Sequence, residues 1–160
     1  MKQHFKTNRL VLNLLNLSDK SFIFDLLNTQ GFIKFIGDRN IKTHEDALNY
    51  CQKIMDNPTI RYWVVKLKKG LIPIGIISFI KRDYLEYHDI GFAFLPDYAQ
   101  KGYAFEAAST VLNAALRDVN HTFILATTIK ENVNSIKLLE KLGLKFDKEI
   151  SIGEIGRAHV

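Results

Sequence analysis

The period of the apolar positions changes several times along the chain, and each change marks an element. Residues 9–14 (RLVLNL) are β-prone, and after Ser18 and Asp19, which suit a helix start, Phe22, Ile23, Leu26 and Leu27 recur at helical spacing. A strand followed by a helix is expected. Residues 31–41 are mixed and glycine-bearing. Thr43 is then placed to cap a second helix, with Glu45 and Asp46 at its positive end, Ala47, Tyr50 and Ile54 on its apolar face, and Asn57-Pro58 closing it. Three strand-like segments follow, at residues 62–67, 72–80 and 87–94. Lys68-Lys69-Gly70 forms a hairpin-turn signal between the first two, and the polar stretch 81–86 separates the last two, so an antiparallel meander is expected. Across residues 102–118, Ala104, Ala108, Val111 and Ala115 form a helical stripe small enough to pack closely on a sheet. Residues 123–126 are continuously apolar, as in a strand covered on both faces. A last helix over 133–142 stops at Gly143, and 144–152 returns as strand. The expected order is β-α-α-β-β-β-α-β-α-β, an α/β (α+β) domain.

Composition narrows the class. With 160 residues and 47% hydrophobic content the chain suits one folded core. Cys51 is the only cysteine, so an intrachain disulfide is excluded, and its bland reading is a packed thiol on a helix. The five histidines lie far apart in sequence without zinc spacing, so no metal is expected. The longest apolar stretch, 71–80, is broken by Pro73, Gly75 and Ser78 and falls short of the roughly 20 residues of a membrane span. Met-Lys-Gln-His opens no signal peptide, and a cytoplasmic location is expected. The balance of 22 basic against 17 acidic residues gives +5, which favours an anionic ligand without naming one. No basic stripe interleaved with aromatics supports nucleic-acid binding.

The most informative stretch is DIGFAFLPDYAQKGYAFEAA, residues 89–108: a strand, a proline-broken loop, and a small-residue turn entering a helix. Free backbone N–H groups around residues 101–104, added to the helix dipole, make an anion seat, and Gly102 and Ala104 keep side chains out of its way. Lys101 adds a positive charge. The alternative is a plain strand-to-helix connection with a turn glycine.

DIGFAFLPDY, KGYA-x-EAA and the downstream N-x-NSIKLLEKLGLKF resemble the acetyl-CoA-binding core of the GNAT N-acetyltransferase superfamily. TNRLVL, IGDRNIKTHEDALNY and PIGIISFIKRD resemble its RimJ/RimL-type branch, the ribosomal-protein N-terminal acetyltransferases, and the match is collinear from Thr7 to about Phe146. The resemblance implies a mixed central sheet flanked by helices, with acetyl-CoA as cosubstrate and no metal. The pantetheine arm is expected in a wedge beside the strand ending near Phe94, and a backbone N–H among Phe92, Ala93 and Phe94 is expected to polarise the thioester. The family's pyrophosphate motif falls on Ala99, Gln100, Lys101, Gly102, Tyr103 and Ala104. Ala99 stands where Gln or Arg is commonest and Gln100 where many members have glycine. Asn132 aligns with the asparagine that bonds the cofactor arm, and is equally a helix N-cap; Asn134 belongs to the same motif. Glu106 is expected to stabilise the helix start.

Acetyl transfer needs a neutral amine and a proton or charge partner for the departing thiolate. Leu139 occupies the position of the family's tyrosine, so Ser135 is the candidate acid, with a solvated first-turn serine as its bland reading. Asp89 and Glu86 are candidate bases, with His88 beside them, and surface carboxylates are the alternative. Asp38, Arg39 and Trp63 are the acceptor candidates, from the loop between the first two helices and a neighbouring strand. The expected reaction moves acetyl from acetyl-CoA to a primary amine, a protein N-terminus or a small amine or amino acid, by direct attack in a ternary complex. The alternative is a non-catalytic acyl-CoA-binding module.

Residues 154–160, EIGRAHV, carry no periodicity and match the translation of a common sequencing adaptor, in a frame that meets a stop codon just after valine. A native domain over residues 1–153 and a non-native tail over 154–160 are therefore expected. The last family strand, which can mediate a homodimer, is then missing or replaced, leaving an unpaired edge.

Overall fold

The computed structural model describes residues 1–151 and 157–159. Its strands are β1 (His4–Lys6), β2 (Leu10–Leu14), β3 (Ile60–Leu67), β4 (Pro73–Ile80) and β5 (Asp89–Phe94), joined in that order into one antiparallel sheet. Its helices are α1 (Lys20–Leu27), α2 (Gln30–Phe35), α3 (His44–Asp56), α4 (Tyr103–Arg117) and α5 (Val133–Lys141).

Strand alternation divides the core. Trp63 and Val65 of β3 face α4, packing with Leu10, Leu12, Ala107, Ala108 and Val111. Val64 points the other way, into a second cluster with Ile23, Leu26, Ala47 and Cys51 from α1 and α3. Helices thus cover both faces of the sheet. The alanines of α4 let that helix lie close, as the small-residue stripe predicts.

Helix starts follow side-chain capping. The Thr43 hydroxyl accepts from the Asp46 N–H (3.0 Å) and the Asp46 carboxylate accepts from the Thr43 N–H (3.1 Å), a reciprocal cap for α3. Before α1, Asn16 caps a 3-10 turn at Leu17–Asp19, so the helix proper begins at Lys20, after the predicted start residues. The mixed stretch after residue 30 contains α2. Its start is capped by the Thr29 hydroxyl, and Gly31 inside so short a helix obscures its period.

The end of the chain differs from expectation. Residues 123–126 make a single parallel bridge, Asp89 to Leu125, instead of a full ladder, and Phe123 is 57% exposed, so the segment lacks cover on both faces. Among the described residues 144–151, only β6 (Glu149–Ser151) is strand; it pairs with β7 (Arg157–His159) in a separate antiparallel ribbon. The proposed tail boundary, with residues 154–156 and 160, lies outside the described residues. Among the described residues no helix is long and apolar enough to cross a membrane.

Candidate active site

Backbone parity in β5 defines the cleft. The Leu95 N–H donates to the Ile74 carbonyl (2.8 Å), so positions 91, 93 and 95 aim their N–H groups at β4. Ile90 points the other way, its N–H donating to the Leu125 carbonyl (2.8 Å), while the Leu125 N–H donates to the His88 carbonyl (2.9 Å). Among the described residues, pairing on that edge stops there. By the same alternation Phe92 and Phe94 present their N–H groups to the open side, whereas that of Ala93 is turned toward β4. Of the three backbone donors expected from sequence, geometry leaves Phe92 and Phe94.

A second set of free donors lies at the start of α4. Gly102 is its N-cap at φ +82°, with no side-chain cap, and the first intrahelical bond is from Glu106 N–H to the Gly102 carbonyl (3.0 Å). The N–H groups of Tyr103, Ala104 and Phe105 precede that bond and belong to the helix's positive end. A Cβ on Gly102 would stand 3.3 Å from Arg9 Nη2, in a backbone region that L side chains rarely adopt. Gln100 holds φ +58°, a left-handed turn achieved without the glycine common there. Lys101 stands 5.8 Å from the centroid of the Tyr98 ring.

Arg9 is a member of this loop that motif reading missed. Its guanidinium lies 4.2 Å from the Tyr103 ring centroid and donates to the Lys101 carbonyl (3.2 Å) and to Glu106 (2.7 Å). Glu106 also accepts from the Arg9 backbone N–H (2.9 Å) and from the Thr7 hydroxyl. Burial is the largest single influence on the Glu106 carboxyl and pushes its pKa up, but the bonds from Thr7 and Arg9 together outweigh it and hold the pKa below its ordinary value. The carboxylate is spent on the turn before β2, which leaves the helix N-terminus facing Lys101 and Arg9. Exposed N–H donors with flanking cations fit a pyrophosphate, and the open β5 edge fits an amide-bearing arm.

Beside the first set lies a cavity of about 390 Å³. It brings together Ser135, Asn132, Asp89, Arg39, Phe92 and Ala93. Asn132 caps α5, its side chain accepting from the Ser135 N–H (3.4 Å), which fixes Ser135 in the first turn; Leu139 lines the cavity one turn on. Asn134 is exposed beside them and outside the cavity lining.

Of the catalytic and acceptor candidates, three do not join the cavity. Trp63 is 0% exposed and packs edge-on against Phe5 (5.8 Å between centroids), so alternation along β3 makes it core rather than acceptor pocket. Glu86 is exposed on the β4–β5 connection, outside the lining. Asp38 accepts from the Asn40 N–H (2.8 Å), a local turn that commits its carboxylate.

Asp89, only 2% exposed, lies at the start of β5. Its Oδ2 accepts from Arg82 Nε (2.9 Å) and the Thr127 hydroxyl (3.3 Å), while Oδ1 is buried with no hydrogen-bond partner. Burial pushes its pKa above the ordinary carboxylate value, with Arg82 and Thr127 pulling part of the way back. Across the cavity the Tyr62 and Tyr50 hydroxyls are 3.2 Å apart, and burial raises the Tyr62 phenol far above its ordinary range. Cys51 is buried in the core cluster with its pKa pushed up to about 11, a packed and unreactive thiol. Among the described residues no group of His, Cys, Asp and Glu is placed to hold a metal ion.

Comparison with known proteins agrees with this architecture. The chain is 28% identical over 142 residues to an uncharacterized N-acetyltransferase, YnaD, of Bacillus subtilis, covering 89% of this chain and 82% of that one. It superposes on a GNAT-family acetyltransferase from Bacillus anthracis with a TM-score of 0.81 at 27% identity, covering 98% and 94% of the two chains. The RimL ribosomal L7/L12 alpha-N-protein acetyltransferase in complex with coenzyme A is alike in fold, with a TM-score of 0.83 at 10% identity over 96% and 92% of the chains. The model of the acetyltransferase (GNAT) domain matches residues 9–145, so the loop at Gly102, the open edge of β5 and the cavity beside it belong to a member of the GNAT acetyltransferase family.

Proposed function

We propose that this protein moves an acetyl group from acetyl-CoA to a primary amine by direct attack in a ternary complex. The observation that carries the reading is the open edge of β5, where Phe92 lines a cavity that also holds Asp89 and Ser135, with Phe94 next along the same edge. Acetyl-CoA supplies an acyl group activated as a thioester. The N–H groups of Tyr103, Ala104 and Phe105, with Lys101 and Arg9, hold its pyrophosphate; Asn132 and the β5 edge hold its arm. Phe92 or Phe94 N–H donates to the carbonyl oxygen, stabilising the charge that develops there as the amine attacks. The nitrogen–carbon bond forms and the carbon–sulfur bond breaks. Asp89 takes the proton lost by the amine, through its unpartnered Oδ1, and Ser135 donates the proton the thiolate gains. Both return to their starting states by exchange with water.

The resemblance to the RimJ/RimL-type branch supports a protein N-terminus as acceptor, and the cavity volume supports a small amine. Leu139, standing in the place of the family's tyrosine acid, favours one other reading: a module that binds acyl-CoA without turnover. Thiol release separates the two. Incubation with acetyl-CoA and a panel of amines and peptides is expected to liberate coenzyme A; a rise in melting temperature with acetyl-CoA and no free thiol from any acceptor would overturn the enzyme reading.

A further inference from the structure

The outer half of the cavity is built around a cation without a counter-charge. Arg39 lines it, and among the described residues its guanidinium makes no ion pair or hydrogen bond. Arg82, the other arginine of the lining, is already neutralised by Asp89 at 2.9 Å. Asp38, the nearest acid in sequence, is turned into its own loop by the Asn40 N–H. Among the described residues, Arg39 is therefore the cation of the lining that has no ion-pair partner.

The loop sets the backbone from which the exposed Arg39 projects. Gly37 has φ +135°, and a Cβ there would lie 2.8 Å from Arg39 Nη1, so the guanidinium folds back over a position only glycine leaves open. Asn40 follows in the left-handed region at φ +56°, and the Asn28 side chain donates to the Ile41 carbonyl (3.0 Å), tying the loop to the end of α1. Beside Arg39, Phe35 and Ile36 of the α2 end present an apolar wall to the same space. A polyamine would bring further cations to Arg39, whereas a carboxylate would pair with it, bidentate and charge-assisted. A cavity of about 390 Å³ that must also admit the thioester leaves room for a small acceptor.

We infer that the acceptor is a free amino acid with an apolar side chain, its carboxylate held by Arg39, its side chain against Phe35 and Ile36, and its amine toward Asp89. The inference rests on the acetyltransferase reading above and narrows its acceptor. The products are the N-acetylated amino acid and coenzyme A with a free thiol.

The test compares acceptors that differ at the carboxylate alone. Coenzyme A release is measured with phenylalanine and leucine, their amides, phenethylamine, spermidine, and a peptide with an acidic N-terminus. The amino acids are expected to be preferred over their amides by about ten- to a hundredfold in kcat/KM, the range for losing a charge-assisted pair. Arg39→Gln is expected to collapse that preference toward unity through the KM of the amino acid, leaving the KM of acetyl-CoA unchanged. Gly37→Ala, which displaces the guanidinium while keeping it, is expected to weaken the preference in the same direction. Preferred acetylation of spermidine, of the peptide or of the amides, or a preference that survives Arg39→Gln, would overturn the amino-acid assignment while the acetyltransferase reading stands. Absence of thiol release with every acceptor would overturn both.

Discussion

Glu106 in the first turn of α4 and Arg9, 97 positions earlier in the chain, form a 2.7 Å ion pair that joins the entry to β2 to the loop proposed to seat the cosubstrate. The same carboxylate accepts from the Arg9 N–H and the Thr7 hydroxyl, and Thr7 in turn accepts from the Leu10 N–H (3.0 Å). An acid beside an anion seat would be repulsive if it faced the anion. Here its charge is consumed by Arg9, whose remaining donors reach the Lys101 carbonyl.

Glu106→Gln is expected to destabilise the fold by about 1–3 kcal/mol at neutral pH, the range for hydrogen bonds to a charged group. The sign with pH follows from a folded-state pKa below the ordinary 4.5. The ionised carboxylate contributes stability above that value, and the contribution is lost as pH falls through the lower folded pKa. Urea unfolding of wild type and variant should therefore give free energies that converge in acid. A gap that stays constant from pH 7 to pH 3 would refute the pairing.

Gly102→Ala places a side chain at φ +82° and 3.3 Å from Arg9 Nη2. It should cost about 1–2 kcal/mol for the left-handed conformation alone. It should also weaken coenzyme A binding, because the displaced guanidinium and the helix N-terminus share that seat. Gln100→Gly relieves a left-handed residue at φ +58°, but gives back part of the gain as unfolded-chain entropy. Calorimetric titration with coenzyme A should show a large loss for the first substitution and equal or tighter binding for the second.

Much of this architecture is legible in the sequence because it depends on local rules. The Thr43-x-x-Asp46 cap, the polar connections between β3, β4 and β5, and the alanine stripe of α4 each report on neighbouring residues, and each element stands where its pattern placed it. The apolar run at 123–126 reads as strand by composition, but its pairing depends on partners elsewhere, and among the described residues only Leu125 finds one. The site divides in the same way. Gly102 and Asn132 announce a helix start from their own surroundings. The role of Arg9 is invisible locally because its partner is 97 positions away, and Trp63, an acceptor candidate of a residue type more often found in cores, is turned inward by the alternation of β3. The choice of Phe92 and Phe94 over Ala93 needs the register against β4, which no single segment encodes.

Asn132 and Ser135 share one hydrogen bond but are expected to fail differently. Asn132→Ala removes the cap of α5 and should cost about 1 kcal/mol of stability. Ser135→Ala keeps the backbone N–H that the cap uses, so its melting temperature should hold. Its kcat should fall by about a hundredfold if the hydroxyl protonates the leaving thiolate. Equal turnover of Ser135→Ala and wild type across pH would remove Ser135 from the reaction.

Asp89 and Glu86 are both acids near the start of β5, and their burial assigns them opposite outcomes. Glu86 is exposed and outside the cavity, so Glu86→Gln should leave kcat/KM unchanged. Asp89 is buried, lines the cavity and has a free lone pair on Oδ1. Because burial raises its pKa, kcat/KM should climb with pH through that raised value as the carboxylate becomes able to accept the amine's proton. Asp89→Asn preserves an acceptor for Arg82 Nε but cannot take a proton, so it should abolish the acidic limb and lower kcat/KM by about a hundredfold. The stability effect has the sign opposite to that of Glu106. A raised folded pKa gives a contribution that is full below the ordinary 3.8 and lost as pH rises through the folded value, so the asparagine variant should lose this dependence. An acidic limb that persists in Asp89→Asn would mean that the limb belongs to the acceptor's own ammonium, and that Asp89 serves only to position Arg82.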